Sequence, residues 1–312
     1  MDGRPTIVAL GAHVLDTLVL PVEQVPDGQG GVLVDRIAVS AAGTAGATAL
    51  VLARLGARAV SVGAVGDDAM GELLVSLLGR EGVDTRFLRR SELPTSASVL
   101  PIRRDGSRPA FHQIGANAVA ARDVPWDMIE GCDHLHLGAP ELFGEDAVRV
   151  LRFARDHGVT TSADCLAPGL PDFFPMIEPW LPLVDHFLPN SEQACGWTQA
   201  TDVAAAARRL RELGAGCTAV TDGAGATVVA TPAGEVLRVP VFQAEVIDTS
   251  GCGDAFSAGY IRGLTLGHGI EQATVLGAAV AAQVVAGLGS DHGDYDLQSV
   301  TAFAEKATRL PV

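Results

Sequence analysis

The chain has 312 residues, 48% hydrophobic and 5% aromatic, with a net charge of −15 and a pI near 4.8. That length and apolar content allow one large α/β domain or two small ones with a sizeable core. The acidic balance excludes nonspecific nucleic-acid binding, which needs a basic surface, yet leaves room for phosphate held by backbone N–H groups.

Thr6–Leu10 is a short apolar run stopped by Gly11, as expected of a buried strand. Val14–Val39 is strand-like, with polar positions, the glycine-rich turn Asp27–Gly31 and no helix. Thr44–Leu55 has the small residues and length of a helix ended by Gly56; Ala59–Val65 follows as a strand and Gly71–Arg80 as a helix closed at Gly82. Ser96–Ile114 repeats the strand-like character around Asp105-Gly106-Ser107. Further strands are predicted at His134–Leu137, Val159–Ala163, Asp185–Leu188 and Thr218–Thr221. Helices are predicted at Glu145–His157, Ser191–Trp197 and Asp202–Leu213, and a Val-rich strand at Val236–Val246.

This alternation predicts an α/β fold with a mostly parallel, doubly wound sheet covered on both faces. The two helix-free segments, about 14–39 and 96–114, predict a small antiparallel sheet projecting from it, as a lid over a cleft or as an oligomer interface. One domain over 1–312 with that appendage is expected. The five cysteines, Cys132, Cys165, Cys195, Cys217 and Cys252, form no CxxC pair, so neither a disulfide framework nor a zinc site is indicated. Met1–Pro5 opens no basic-then-apolar leader, and no uninterrupted apolar run reaches the roughly 18 residues of a membrane span. A soluble, cytoplasmic protein is expected.

The most informative stretch is Asp248-Thr249-Ser250-Gly251-Cys252-Gly253-Asp254-Ala255-Phe256, which leads into an apolar, glycine-spaced helical pattern. Small residues at a helix start let consecutive N–H groups surround an anion, with the helix dipole adding its pull. An acid fixed beside such a hole is placed to be the general base of phosphoryl transfer. The alternative is a plain helix cap. Cys252 as a nucleophile would need a depressed pKa and a partner histidine, and the sequence places none beside it. His134 and His136 share one face of a strand, where packing is expected because no third metal ligand is near. Asp291–Asp296 lacks the glutamate of a calcium loop and reads as a solvated loop.

These residues resemble the ribokinase-like, or PfkB, family of carbohydrate kinases over about residues 7–290. Asp248–Asp254 is similar to its C-terminal signature, Gly63–Gly71 with Glu81–Asp84 to another characteristic run, and Ala41–Gly43 through Gly56 to its N-terminal signature. The resemblance implies a three-layer α/β/α sandwich with a small β-sheet lid, and transfer of the γ-phosphate of ATP, with Mg²⁺, to a hydroxyl of a sugar or nucleoside. It implies Asp254 as base with Gly251, Cys252 and Gly253 as the anion hole, and Asp16, Gly43, Thr44 and Asn117 as substrate contacts. For the nucleotide it implies Asn190, Thr221, Gly223, Gly225 and Ala278. For a monovalent cation such as K⁺ it implies Asp248 and Gly289.

Departures concern metal and substrate. Gln193 stands where the family has a glutamate tied to magnesium. Ala42, Ala47 and Gly138 each remove a polar contact to a ribose-like ligand, so plain ribose is not the expected acceptor. The alternatives are an adenosine-like nucleoside kinase and a sugar- or nucleotide-binding protein without transfer. A dinucleotide-dependent oxidoreductase lacks its G-x-G-x-x-G after the first strand. A small-molecule partner, no nucleic acid, no membrane and a homodimer through the lid are the expected associations.

Overall fold

The computed structural model describes residues 3–311. Met1, Asp2 and Val312 lie outside the described residues, and so does that part of the expectations for Met1–Pro5 and for 1–312. Strand β1 (Thr6–Gly11) begins the central sheet. Strands β2 (Val14–Leu20) and β3 (Arg36–Ala42) leave it for a smaller sheet, and helix α1 (Gly46–Arg54) returns to β4 (Arg58–Gly66). Next come α2 (Ala69–Arg80), β5 (Asp84–Ser91), β6 (Ala97–Pro101), β7 (Phe111–Gln113), α3 (Trp126–Glu130), β8 (His134–Gly138), α4 (Glu145–Asp156) and β9 (Thr160–Asp164). The remainder is β10 (His186–Phe187), α5 (Ser191–Thr198), α6 (Val203–Glu212), β11 (Cys217–Val220), β12 (Thr227–Ala230), β13 (Val236–Val239), α7 (Cys252–Thr265), α8 (Ile270–Val284) and α9 (Leu297–Lys306).

The larger sheet has nine strands in the order β13-β12-β11-β10-β9-β8-β1-β4-β5, parallel except for the β11–β12 and β12–β13 pairs. Strand pleating divides its residues between two cores. Ile7 and Ala9 of β1 join α1, α2, α7, α8 and α9 on one face, while Val8 and Leu10 join α3, α4, α5 and α6 on the other. This is the expected three-layer α/β/α arrangement. The smaller sheet has the order β3-β2-β6-β7 and packs Leu18, Leu100 and Ile102 against Leu288.

The structure differs from expectation in several places. The smaller sheet is mixed, because β2 pairs with β6 in parallel while β2–β3 and β6–β7 are antiparallel. β2 and β6 are separated in sequence by the α1–β4–α2–β5 excursion, so no hairpin fixes their direction. The strand expected over Val236–Val246 ends at Val239, since Pro240 has no N–H for the ladder, and a loop rather than a strand leads to residue 248. β5 was not expected. It is an edge strand whose Arg86, Arg89 and Arg90 hide the apolar alternation, and edges favour charge.

Asp291–Asp296 is a docked loop rather than a solvated one. Asp291 accepts from Ser40 Oγ at 2.8 Å, Arg54 lies over the Tyr295 ring, and Asp296 caps α9. His134 and His136 are buried and share Ser162 Oγ at 2.8 and 2.9 Å, which is the packing role expected of them. No described helix is long and apolar enough to cross a membrane.

The chain starts in β1 and builds β4 and β5 to one side, then β8 to β13 to the other. The reversal of strand order falls between β1 and β8, where open α/β sheets leave a crevice beyond the carboxyl ends of their strands.

Candidate active site

A cavity of about 780 Å³ lies in that region, within the range of small-molecule sites. The smaller sheet forms one wall, with Asp16 on β2, Ser98 and Leu100 on β6 and His112 on β7. Gly43 and Thr44, ahead of α1, line it beside Asp16. The other end is lined by Asn190, Thr221 and Gly223, and by an apolar group that includes Val241, Phe242, Ala278 and Val285. Gly251, Cys252, Gly253 and Asp254 also line the cavity.

The start of α7 is made by its sequence. Gly251 is the N-cap with φ +73°, a left-handed conformation in which a Cβ would run into Ser290. It has no side chain to cap the helix, so the N–H groups of residues 252–254 have no partner within the helix. Cys252 N makes only a long 3.4 Å bond to Thr249 O. Beneath this turn, Asp248 is fully buried. Its Oδ1 accepts from Ser250 N at 2.9 Å and Ser250 Oγ at 2.7 Å, and its Oδ2 from Gly289 N at 3.0 Å. Asp248 thus braces the turn against residues 289–290. Neither Asp248 nor Gly289 lines the cavity, although Ser290 does.

Electrostatics distinguish Asp254. Burial pushes its pKa up to about 7, with a further rise from Asp16 and an opposing pull from Arg108. Asp16 is pushed up to about 6 by burial and by Asp248, against its Ser98 hydrogen bond and Arg108. Cys252 is pushed up to about 12, chiefly by burial, so its thiol stays protonated and is no nucleophile at neutral pH.

Two expected contacts stand back from the cavity. Asn117 is buried behind it, where Oδ1 accepts from His13 N at 3.0 Å and its own N–H donates to Ser96 Oγ at 3.1 Å. Gly225 closes its turn by donating to Asp222 O at 2.7 Å, and the cavity touches Gly223 and Ala224 instead. Gln193 does line the cavity, and its amide is fully used. Its Oε1 accepts from Asn190 N at 3.1 Å, while Nε2 donates to Cys165 O at 2.9 Å and Ala167 O at 3.0 Å. A Cβ at Gly138 would run into Ala45 N, so no side chain fits at that departure.

Three residues in or behind the site were not singled out from sequence. Asp164, the last residue of β9, lines the cavity and accepts from Ser257 Oγ at 3.2 Å. Its pKa is raised well above the carboxylate range by burial, then by Asp254 and Glu141. Glu141 is buried, its Oε1 accepting from Leu166 N at 2.6 Å and Ala167 N at 2.8 Å while Oε2 has no partner. Arg108, between β6 and β7, also lines the cavity. A carboxylate closing a strand in an α/β sheet is the signal that could have found Asp164; Glu141 and Arg108 carry none.

The family profile described as pfkB family carbohydrate kinase matches residues 5–295. The chain belongs to this family. It is 31% identical to an adenosine kinase of Schizophyllum commune, over 71% of this chain and 72% of that one. It is 30% identical to an ATP-dependent ribose-1-phosphate kinase of Halopiger xanaduensis, over 88% of this chain and 91% of that one. Its fold matches that of Arabidopsis thaliana ribokinase complexed with ribose and ATP at a TM-score of 0.83, with 22% identity, covering 97% of this chain and 99% of that one. The protein is a phosphotransferase with an alcohol acceptor, a kinase of the sugar and nucleoside class.

The Gln193 geometry yields a test of why a glutamine stands there. Gln193→Glu removes an N–H pair from two buried carbonyls and adds a third acid near Glu141 and Asp164. The variant is expected to lose about 1–3 kcal/mol of stability in urea unfolding. Stability equal to wild type would show that the two carbonyls do not depend on the amide.

Proposed function

We propose that the chain transfers the γ-phosphate of ATP to a hydroxyl of a small sugar or nucleoside, with Asp254 as general base. The observation that carries this reading is that Asp254 opens α7 in the same cavity as Asp16 and the Asn190–Thr221–Gly223 end. Asp16, an acceptor-only carboxylate when ionised, receives neighbouring hydroxyls of the acceptor. Gly43 and Thr44 shape that end. Asn117 acts one layer back by holding His13 N, so it positions rather than touches.

Asp254 takes the acceptor proton. In a loose transition state that proton leaves late, so a carboxylate is basic enough, and a pKa near 7 matches the working pH. The N–H groups of residues 251–253 face charge on the transferring oxygens, in the manner of an oxyanion hole. Asn190, Thr221, Gly223 and Ala278 border the nucleotide, with Gly225 shaping the turn behind them.

Among the described residues no cluster of three or more His, Cys, Asp or Glu is arranged to hold a metal. Mg²⁺ would come with the triphosphate and neutralise phosphate charge there, and Asp164 is a carboxyl on the cavity wall that would help hold it. A monovalent cation such as K⁺ would be drawn to the Asp248–Gly289 bracket by the carboxylate's charge, although both carboxylate oxygens already accept from Ser250 or Gly289.

The departures at Ala42, Ala47 and Gly138 favour an acceptor other than plain ribose. The similarity to an adenosine kinase and a ribose-1-phosphate kinase makes nucleosides and modified pentoses the first acceptors to try. We treat the chain as one unit with segments 14–39 and 96–114 as lid, and dependence on ATP favours a cytoplasmic setting. The outer face of the lid carries Val39, Val99 and Phe111, which fall in one cross-strand row through Thr17 and are exposed. With exposed Ile37 beside it, this row supports a homodimer through the lid.

ADP release across a panel of sugars and nucleosides tests the activity. Asp254→Asn is expected to lower kcat at least about 10²-fold with nucleotide binding retained. An unchanged kcat would remove Asp254 from the base role. For the lid face, Phe111→Asp is expected to convert a dimer into a monomer in light scattering; a monomeric wild type at micromolar concentration would contradict the interface.

A further inference from the structure

Arg108 is the one lysine or arginine on the cavity wall. Among the described residues it takes part in no ion pair, and its Nε is buried without a hydrogen-bond partner. Yet acids surround it. Its charge reaches Asp16, Asp254 and the Cys252 thiol, and holds each lower than burial alone would. A guanidinium is a rigid fork of donors that cannot be neutralised by losing a proton. Arg108 is half-buried, and leaving its buried Nε–H unmatched is costly, so the arrangement is made for something that arrives.

The register of the smaller sheet says which part of the cavity it serves. Asp16 lies opposite Ser98, and Ser98 opposite His112, whose Nδ1 is 2.8 Å from Ser98 Oγ. All three residues line the cavity, forming a polar row that begins with the hydroxyl-accepting carboxylate. Arg108 hangs from the connection between the two strands that carry Ser98 and His112. The transferring phosphoryl group has donors of its own in the first turn of α7, a different element. His112 is held below the usual histidine range by burial, which leaves Arg108 as the cation of this wall.

We propose that the acceptor already carries an anionic group, a phosphate monoester or a carboxylate, gripped by the Arg108 fork while Asp16 receives hydroxyls and the alcohol to be phosphorylated faces Asp254. Two parallel N–H···O bonds from one guanidinium match either oxyanion. Arg108 also offsets the repulsion that Asp16 and Asp254 exert on such a substrate. This deepens the kinase reading of the same cavity and rests on it.

The test uses matched acceptors: ribose, ribose 5-phosphate and ribonate, with adenosine as a second neutral compound. Steady-state kinetics are measured for wild type, Arg108→Gln and Arg108→Lys, each checked for an unchanged melting temperature. Wild type is expected to favour an anionic member at least tenfold in kcat/KM, and the two anionic arms separate phosphate from carboxylate. Arg108→Gln is expected to erase that preference mainly through KM. Arg108→Lys restores part of it, because an ammonium supplies charge without the fork. The proposal is overturned if wild type favours the neutral members. It is equally overturned if Arg108→Gln lowers kcat alike for neutral and anionic acceptors, since the guanidinium would then act on the transferring phosphoryl group. No turnover with any acceptor, neutral or charged, removes the kinase reading and this inference together.

Discussion

A half-buried carboxylate fixed at the first turn of α7, among other acids, is the constraint on which the site is built. The helix terminus favours its charged form, by about 0.3–2 kcal/mol. Burial and the nearby Asp16 oppose it more strongly, since a pKa raised from 3.8 to about 7 represents on the order of 4 kcal/mol. The neutral form therefore persists to near-neutral pH. In the proposed reaction the alcohol proton leaves late, so a carboxylate is basic enough, and the raised pKa brings its proton exchange close to neutral pH.

Much of the surrounding structure holds that arrangement in place. Glu141 grips the backbone N–H groups of residues 166 and 167 while Gln193 grips the carbonyls of 165 and 167, so the strand end carrying Asp164 is clamped from both sides. Asp248 ties the turn at the start of α7 to Gly289. Asp68 caps α2 through Gly71 N and receives Thr95 N and Oγ1 at 2.8 and 2.6 Å, where the chain crosses into β6. Cleft, turn and smaller sheet are thus connected by carboxylates that accept hydrogen bonds rather than by ion pairs.

The parts of this site legible in sequence were those written locally. The run from Asp248 to Phe256 shows its small residues and acid in one reading, and the Thr221–Gly225 turn shows its glycines. The Gly63–Gly71 run was legible as a pattern, but its purpose emerged only when Asp68 met Thr95 across the fold. Asp164, Glu141 and Arg108 come from separate strands and loops, and each alone looks like a solvated charge. Asp164 and Glu141 meet because a parallel sheet gathers its strand ends at one edge, and Arg108 reaches the same cavity from the smaller sheet. Asn117 lies behind the cavity and not on its wall, because sequence spacing cannot say which side of a packed residue faces a cavity. The parallel pairing of β2 with β6 was hidden for a similar reason, as it joins segments that no turn connects.

The most direct test is the pH dependence of kcat/KM for wild type and Asp16→Asn. A base whose pKa is raised must shed its proton to work, so wild-type activity should fall as pH drops through about 7. Removing the Asp16 charge lowers the Asp254 pKa, and the acid limb should move to lower pH in the variant. A wild-type limb near the ordinary carboxylate value of about 4, or a limb unmoved by Asp16→Asn, would contradict the account.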